Sequence, residues 1–265
     1  MVLSTSFPFS GIRIRFAGET DIGKTHDHNE DTLYLPESIP LGIVADGMGG
    51  HASGEVASRV TVETMAKYFS ESALGAATVW PLRLDALQTN LNRMRNAISL
   101  ANIRVREHAE KDIACKNMGT TVVSIYFEDN YAIIAHIGDS RIYRYRPGLL
   151  ELLMEDHSFV NDMARLKHIT PEEAAASGTK INVVSRVIGP NPDVFVDATI
   201  IYPRVGDVFL LCSDGLNDMI SDAHILEIMS SENDLDEMAE KLVHAANDAG
   251  GEDNITALCA RVEKD

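Results

Sequence analysis

The segment LGIVADGMGGH, from Leu41 to His51, decides how the rest of the chain reads. Leu41 to Ala45 form a short apolar run that stops on Asp46-Gly47. A brief apolar run closed by a turn pair marks a buried strand opening into a loop. Beyond Gly49-Gly50 the pattern turns helical, from roughly Ala52 to Phe69. The arrangement recurs further along. Asp214 follows Phe209-Leu210-Leu211-Cys212-Ser213, and Asp139 follows Ile133-Ile134-Ala135-His136-Ile137-Gly138. Asp253 precedes the strand-like Ile255–Arg261, and Glu30-Asp31 stand before another short strand.

The end of a buried strand is a costly place for an unpaired carboxylate. Each of these acids therefore needs a basic partner or a share in a bound cation. Lys and Arg are scarce around them, and only Arg141 is close in sequence. Taken singly, each Asp-Gly pair reads as a turn after a strand. Taken together, acids in matching settings read as converging oxygen ligands for hard divalent cations, Mg²⁺ or Mn²⁺.

Composition narrows the classes. The chain has 265 residues, 45% of them hydrophobic, enough for a sizeable core in one sheet-rich domain. A net charge of −17 disfavours nucleic acid and anionic membrane as partners. Cys115, Cys212 and Cys259 are too few and too scattered for a disulfide framework or a zinc site. No apolar run is long enough to span a membrane, and Met1 to Ser10 lack the form of a signal peptide. A cytoplasmic location is the expectation.

The elements read as strand clusters interrupted by helices. Strands are expected at Arg13–Ala17, Asp31–Leu35, Thr120–Phe127, Tyr131–Ile137, Arg141–Arg146, Val194–Tyr202, Asp207–Cys212 and Ile255–Arg261, with Glu128-Asp129-Asn130 as a hairpin turn. Leu84, Leu87, Leu91, Met94, Ile98, Ala101 and Val105 recur at steps of three and four, one apolar face of a helix. That stripe reads as core and carries no chemistry. Thr170-Pro171-Glu172-Glu173 is a helix start with a capping box. A last helix over Leu235–Ala249 is capped by Asn233 or Asp234 and ended by Gly250. This order points to an α+β fold of antiparallel sheets covered by helices. No linker or repeat divides the chain, so residues 1–265 read as a single domain with its core at about 13–262.

Six motifs occur in order: Asn29-Glu30-Asp31, Asp46-Gly47-Met48-Gly49-Gly50-His51, Gly119-Thr120-Thr121, Gly138-Asp139-Ser140-Arg141, Ser213-Asp214-Gly215-Leu216 and Glu252-Asp253-Asn254-Ile255. Together they resemble the metal-dependent protein serine/threonine phosphatases of type 2C, in their bacterial form. The match spans about Thr20 to Ala260. The resemblance implies a central antiparallel β-sandwich flanked by helices on both outer faces, a four-layer α-β-β-α arrangement. It implies two metal ions, possibly a third, with Asp46 bridging two of them. Asp214 and Asp253 would complete one site, and the Gly47 carbonyl, Asp31 and Glu30 the other. Asp139, Asp214 and Asp218 resemble the third, weaker site. Residues 159–183 would be the flap beside the cleft. The implied reaction is hydrolysis of phosphoserine and phosphothreonine in proteins by a water held between the two metals. The implied opposing partner is a Hanks-type kinase.

Two departures stand out. His26 occupies the position where the family usually has an Arg that grips the substrate phosphate. An imidazole lacks the planar bidentate fork of a guanidinium, so His26 is expected to contribute to phosphate binding less strongly. Met48 stands where eukaryotic relatives have a His, and His51 is expected to serve loop structure rather than catalysis.

Rival readings are weaker. Gly18-Glu19-Thr20-Asp21-Ile22-Gly23-Lys24-Thr25 has the form of a nucleotide-binding P-loop. A P-loop must open a helix, whereas strand-like Leu33-Tyr34-Leu35 follows here, and Glu19 and Asp21 would place negative charge in the cradle. A cysteine phosphatase needs a Cys-x₅-Arg loop, but the sixth residue after each Cys is Thr121, Asp218 or Asp265. The remaining alternative is a catalytically inactive module of the same fold. Such relatives lose metal ligands, and Asp46, Asp214 and Asp253 are all retained.

Overall fold

The computed structural model describes residues 5–9, 11–49, 53–73, 89–128, 130–176 and 183–264. Twelve strands and seven α-helices follow one another in the order β1(Thr5–Phe9) β2(Ile12–Asp21) β3(Asp31–Tyr34) β4(Leu41–Met48) α1(Ser53–Ala73) α2(Thr89–Lys111) β5(Gly119–Thr120) β6(Val122–Glu128) β7(Tyr131–Ile137) β8(Arg141–Arg146) β9(Leu149–Leu152) α3(Phe159–Lys167) α4(Pro171–Ala176) β10(Asp197–Ile201) β11(Val208–Cys212) α5(Asp214–Asn217) α6(Asp222–Ser231) α7(Leu235–Ala249) β12(Ile255–Lys264). They build two six-stranded sheets. One runs β1-β2-β12-β11-β8-β9; the other runs β10-β7-β6-β4-β3, with β5 added beside β4. Every pairing is antiparallel.

Period-two alternation sorts the side chains into layers. On β6, Val123, Ile125 and Phe127 point between the sheets, while Val122 and Tyr126 point outward. On β11, Phe209 and Leu211 point inward and Val208, Leu210 and Cys212 outward. Phe127 of one sheet meets Phe16 and Phe209 of the other edge-on, at centroid distances of 5.7 and 5.9 Å. Each such fully buried ring contributes about 1.5–3 kcal/mol of transfer free energy. Outside the sandwich, Met65 and Phe69 of α1 and Met94, Ile98 and Val105 of α2 cover the second sheet. Ile225 of α6 and Met238, Leu242 and Ala246 of α7 cover the first. The result is the expected four-layer α-β-β-α sandwich.

The helix ends follow local chemistry. Thr170 and Glu173 form the reciprocal capping box, Thr170 N donating to Glu173 Oε2 at 2.8 Å and Glu173 N to Thr170 Oγ1 at 3.2 Å. Asp234, not Asn233, caps α7, its Oδ1 accepting from the backbone of Asp236 and Glu237. Gly250 closes the same helix.

Several expectations need correction. The strand expected at Arg13–Ala17 continues through Gly18-Glu19-Thr20-Asp21 as β2, paired throughout with β12, so the P-loop form is occupied by a strand. The strand expected at Thr120–Phe127 is broken at Thr121, whose backbone and hydroxyl both turn to Asp46. Val194 and Val196 pack on the outer core rather than pairing, so β10 begins only at Asp197. The strands β1 and β9 and the helices α3, α5 and α6 were not expected. Leu84, Leu87, Asp129 and His51 lie outside the described residues.

Candidate metal centre

The centre is built where the inner rows of both sheets run past the apolar core. On β4 the inward row passes from Val44 to Asp46, and the β3–β4 register sets Asp31 opposite Asp46. From the other sheet come Thr256 of β12 and the Ser213-Asp214 corner after β11. Ser213 Oγ and Thr256 Oγ1 each donate to Asp31 Oδ2 at 2.7 Å. Asp31 is only 8% exposed, and its other oxygen, Oδ1, is buried without a hydrogen-bond partner. One oxygen is thus clamped in place and the other is presented bare.

Two glycines permit the close approach of the surrounding backbone. A Cβ on Gly47 would lie 2.2 Å from Gly54 O and 2.6 Å from Glu30 O. A Cβ on Gly215 would lie 2.1 Å from Asn254 O, which is what lets the first turn of α5 sit against Asp253. Asn254 ties the remaining loops together. Its Nδ2 donates to Ile22 O at 2.8 Å and His28 O at 3.1 Å, and its Oδ1 accepts from Glu30 N at 2.7 Å. Asp253 Oδ1 accepts from Asn254 N at 2.7 Å and faces His26 Nε2 at 3.2 Å.

The electrostatics are those of an over-filled acid pocket. The carboxyl groups of Asp46 and Asp214 are neighbours, each acting on the ionisation of the other. Burial first, then the charges of Asp31 and Asp214, push Asp46 well above the ordinary carboxylate range. Burial lifts Asp31 to about 7, against the two hydroxyl donors that favour its anion. Burial and then Asp253 lift Asp214 to about 6, and burial and then Asp214 lift Asp139 to about 7. Glu30 is raised by burial, with His26 opposing. Among the described residues, no Lys or Arg pairs with Asp31, Asp46, Asp139 or Asp214. Arg141 is engaged elsewhere, its guanidinium meeting Asp156 at 2.7 and 3.1 Å.

Asp214 Oδ1 is a second buried oxygen without a hydrogen-bond partner. Oxygen-only donors, two bare buried oxygens and carboxyls that resist ionising without a cation form a set that fits Mg²⁺ or Mn²⁺. A cavity of about 520 Å³ opens from it, lined by Asp139, Asp214, Asp218 and Asp253, and across from them by Ser158 and Val184. Those last two form the base of the expected flap, bridged to each other, with Phe159 N donating to Val183 O at 2.8 Å.

The structure therefore gathers Glu30, Asp31, Asp46, Gly47, Asp214 and Asp253 at one end of the sandwich, with His26 at the rim and Asp139 and Asp218 along the cavity. Sequence reasoning missed Thr256 and Asp156. Thr256 had no distinguishing signal, since a Thr at an alternating strand position is ordinary. Asp156 was findable in principle as the acid that occupies Arg141, the Arg close in sequence to these acids.

Similarity to known proteins places the chain in a family. A family model described as Protein phosphatase 2C matches residues 24–258. A serine/threonine phosphatase, stp, of Listeria monocytogenes is 36% identical over 249 residues, covering 93% of this chain and 94% of its own. The crystal structure of the serine/threonine phosphatase PstP/Ppp of Mycobacterium tuberculosis superposes with a TM-score of 0.79 at 33% identity, over 95% of this chain and 99% of that one. The catalytic domain of PstP in complex with two manganese ions gives a TM-score of 0.78 at 33% identity, with the same coverage of 95% and 99%.

Proposed function

Because this chain belongs to the protein phosphatase 2C family and is a metal-dependent protein serine/threonine phosphatase, we propose that its acid cluster is the catalytic metal centre. The cofactor is Mn²⁺ or Mg²⁺. In this reading Asp46 spans two ions. Asp214 and Asp253 complete one site, and the Gly47 carbonyl with Asp31 and Glu30, directly or through waters, completes the other. Asp139, Asp214 and Asp218 form a third, weaker site. The observation that carries the assignment is the pair of buried, partnerless oxygens, Asp31 Oδ1 and Asp214 Oδ1, beside Asp46. Metal ions held by these residues would supply a reactive water and neutralise charge on the phosphoryl oxygens of a phosphoserine or phosphothreonine ester.

The chain's own groups prepare that site. Ser213 and Thr256 hold Asp31 in one orientation, so little rearrangement is needed on metal binding. Asn254 locks the Glu30 and Asp253 loops together. His26, beside Asp253 at the rim, contributes to binding the phosphate. The whole of residues 1–265 acts as one catalytic domain. Its substrates are phosphoproteins, and a serine/threonine kinase is the class of enzyme that must supply them. Three free, buried cysteines support a reducing, cytoplasmic setting.

The test is manganese-dependent hydrolysis of a phosphothreonine peptide and of p-nitrophenyl phosphate by wild type, Asp214→Asn and His26→Ala. Asp214→Asn is expected to fold and to lose turnover of both substrates. His26→Ala is expected to raise KM several-fold; unchanged constants would remove its role. A metal-loaded wild type without turnover would overturn the catalytic reading in favour of an inactive module.

A further inference from the structure

Away from the acid centre, His136, His157 and Asp197 form a polar cluster with ligand atoms within 4.8 Å of one another. It is poorly shaped for a metal. The imidazoles stack, centroids 4.4 Å apart and planes 21° apart, so one ion cannot lie in the plane of both rings. His136 Nε2 already meets Glu155 O at 3.0 Å.

His157 instead joins three parts of the molecule. Its backbone N donates to Gly138 O at 2.9 Å, and its Nδ1 accepts from Gly138 N at 3.1 Å. Its carbonyl accepts from Ser185 N at 2.8 Å. A backbone N–H only donates, so Nδ1 carries the lone pair and the ring proton sits on Nε2, directed at Asp197 Oδ2 at 2.8 Å. Arg186 reaches the same carboxylate oxygen at 3.3 Å. The His157 backbone thus ties the Ser185 stem to the turn that presents Asp139. The buried imidazole adds a second bond to that turn through Gly138 N, while its far side meets Asp197 and Arg186. That turn has little freedom of its own. Gly138 has φ +109°, and a Cβ there would lie 2.6 Å from Thr121.

The two stems of the 158–184 segment face the cavity. Ser158, Val160, Asn161 and Val184 line it opposite Asp214 and Asp253. Phe159 and Leu166, seven residues apart on one face of α3, are 44% and 75% exposed. A peptide that fills this cavity with its phosphate at the acid centre would contact Ser158, Val160, Asn161 and Val184. Resting on the phosphatase reading above, we propose that His157 is a positioning residue for phosphopeptide substrates. Its Nδ1 bond to Gly138 sets the register between the flap base and the Asp139 turn.

The two ring nitrogens can be tested separately. In His157→Asn, the amide oxygen can replace Nδ1 at Gly138 N–H but does not reach Asp197. In His157→Gln, the amide reaches toward Asp197 and leaves Gly138 unpaired. The Gly138 amide is expected to exchange slowly in wild type and Asn and at least about tenfold faster in Gln, the loss of one buried hydrogen bond. KM for a phosphothreonine peptide is expected to rise about tenfold in Gln with kcat little changed, and to return toward wild type in Asn. Equal KM values in the two variants, or an unchanged Gly138 amide in Gln, would overturn the proposal. Wild type lacking turnover on any phosphoester would instead overturn the phosphatase reading, and this proposal with it. Turnover without the Asn–Gln split would overturn this one alone.

Discussion

At the scale of the residue, the acids could be located from the sequence and their supports could not. Asp46 and Asp214 announce themselves because an acid directly after a buried apolar run has no cheap structural explanation. Thr256 is invisible, since its hydroxyl matters only through a neighbour 225 positions away. That hydroxyl is one of two holding Asp31 Oδ2, and outer contacts of this kind typically affect metal affinity by about 10–100-fold. Thr256→Val keeps the shape of the strand residue and removes only the donor. It is expected to weaken Mn²⁺ binding about tenfold by calorimetric titration, with the far-ultraviolet spectrum unchanged. Unaltered affinity would mean that Asp31 does not hold metal through its free oxygen.

At the scale of the element, legibility followed length and periodicity. α7 was read with its boundaries correct because fifteen residues with a continuous apolar stripe and a capping acid leave few alternatives. α5 spans only four residues, too short for any period to register. β1 carries Pro8, which reads against a strand and is tolerated here because β1 pairs on one side only, at a sheet edge. Val194–Val196 were misread for the opposite reason, their β-branched side chains being used to pack rather than to pair. The cap on α7 is a local device whose contribution can be isolated. Asp234→Ala should cost about 1 kcal/mol in urea unfolding, and Asp234→Asn most of a kilocalorie less than that, since Asn also caps. Saturated phosphatase activity is expected to stay constant in both, because α7 lies against the outer face of its sheet and not at the acid centre. Equal losses in Ala and Asn would shift the contribution to the Arg15 ion pair at 3.6 Å.

At the scale of the whole molecule, the fold brings together acids that it cannot neutralise by itself, and this couples stability to pH in a particular direction. Asp31 and Asp139 at about 7 and Asp214 at about 6 all lie above the ordinary value near 3.9 of an unfolded Asp. Between those limits the native chain binds more protons than the unfolded one, so stability falls as pH rises. Asp197 is lowered, burial being outweighed only by the His157 bond together with the charges of His157, His136 and Arg186, and it acts at more acid pH. The imidazoles of His136, lowered by burial to about 4, and of His157, also lowered by burial, act inside this window with the opposite sign. They are outnumbered by the raised Asp31, Asp46, Asp139 and Asp214. From about pH 4 to 7 the raised acids therefore set the sign. Chelator-treated protein is expected to lose melting temperature steadily across that window. With saturating Mn²⁺ the decline should flatten, since a cation that binds only the native state adds stability by mass action and takes over the role of the protons. The gap between the two melting curves should then widen with pH. A chelated protein that gained stability from pH 5.5 to 7.5 would show that the buried acids are neutralised within the chain, leaving no electrostatic reason for ions to collect at the end of the sandwich.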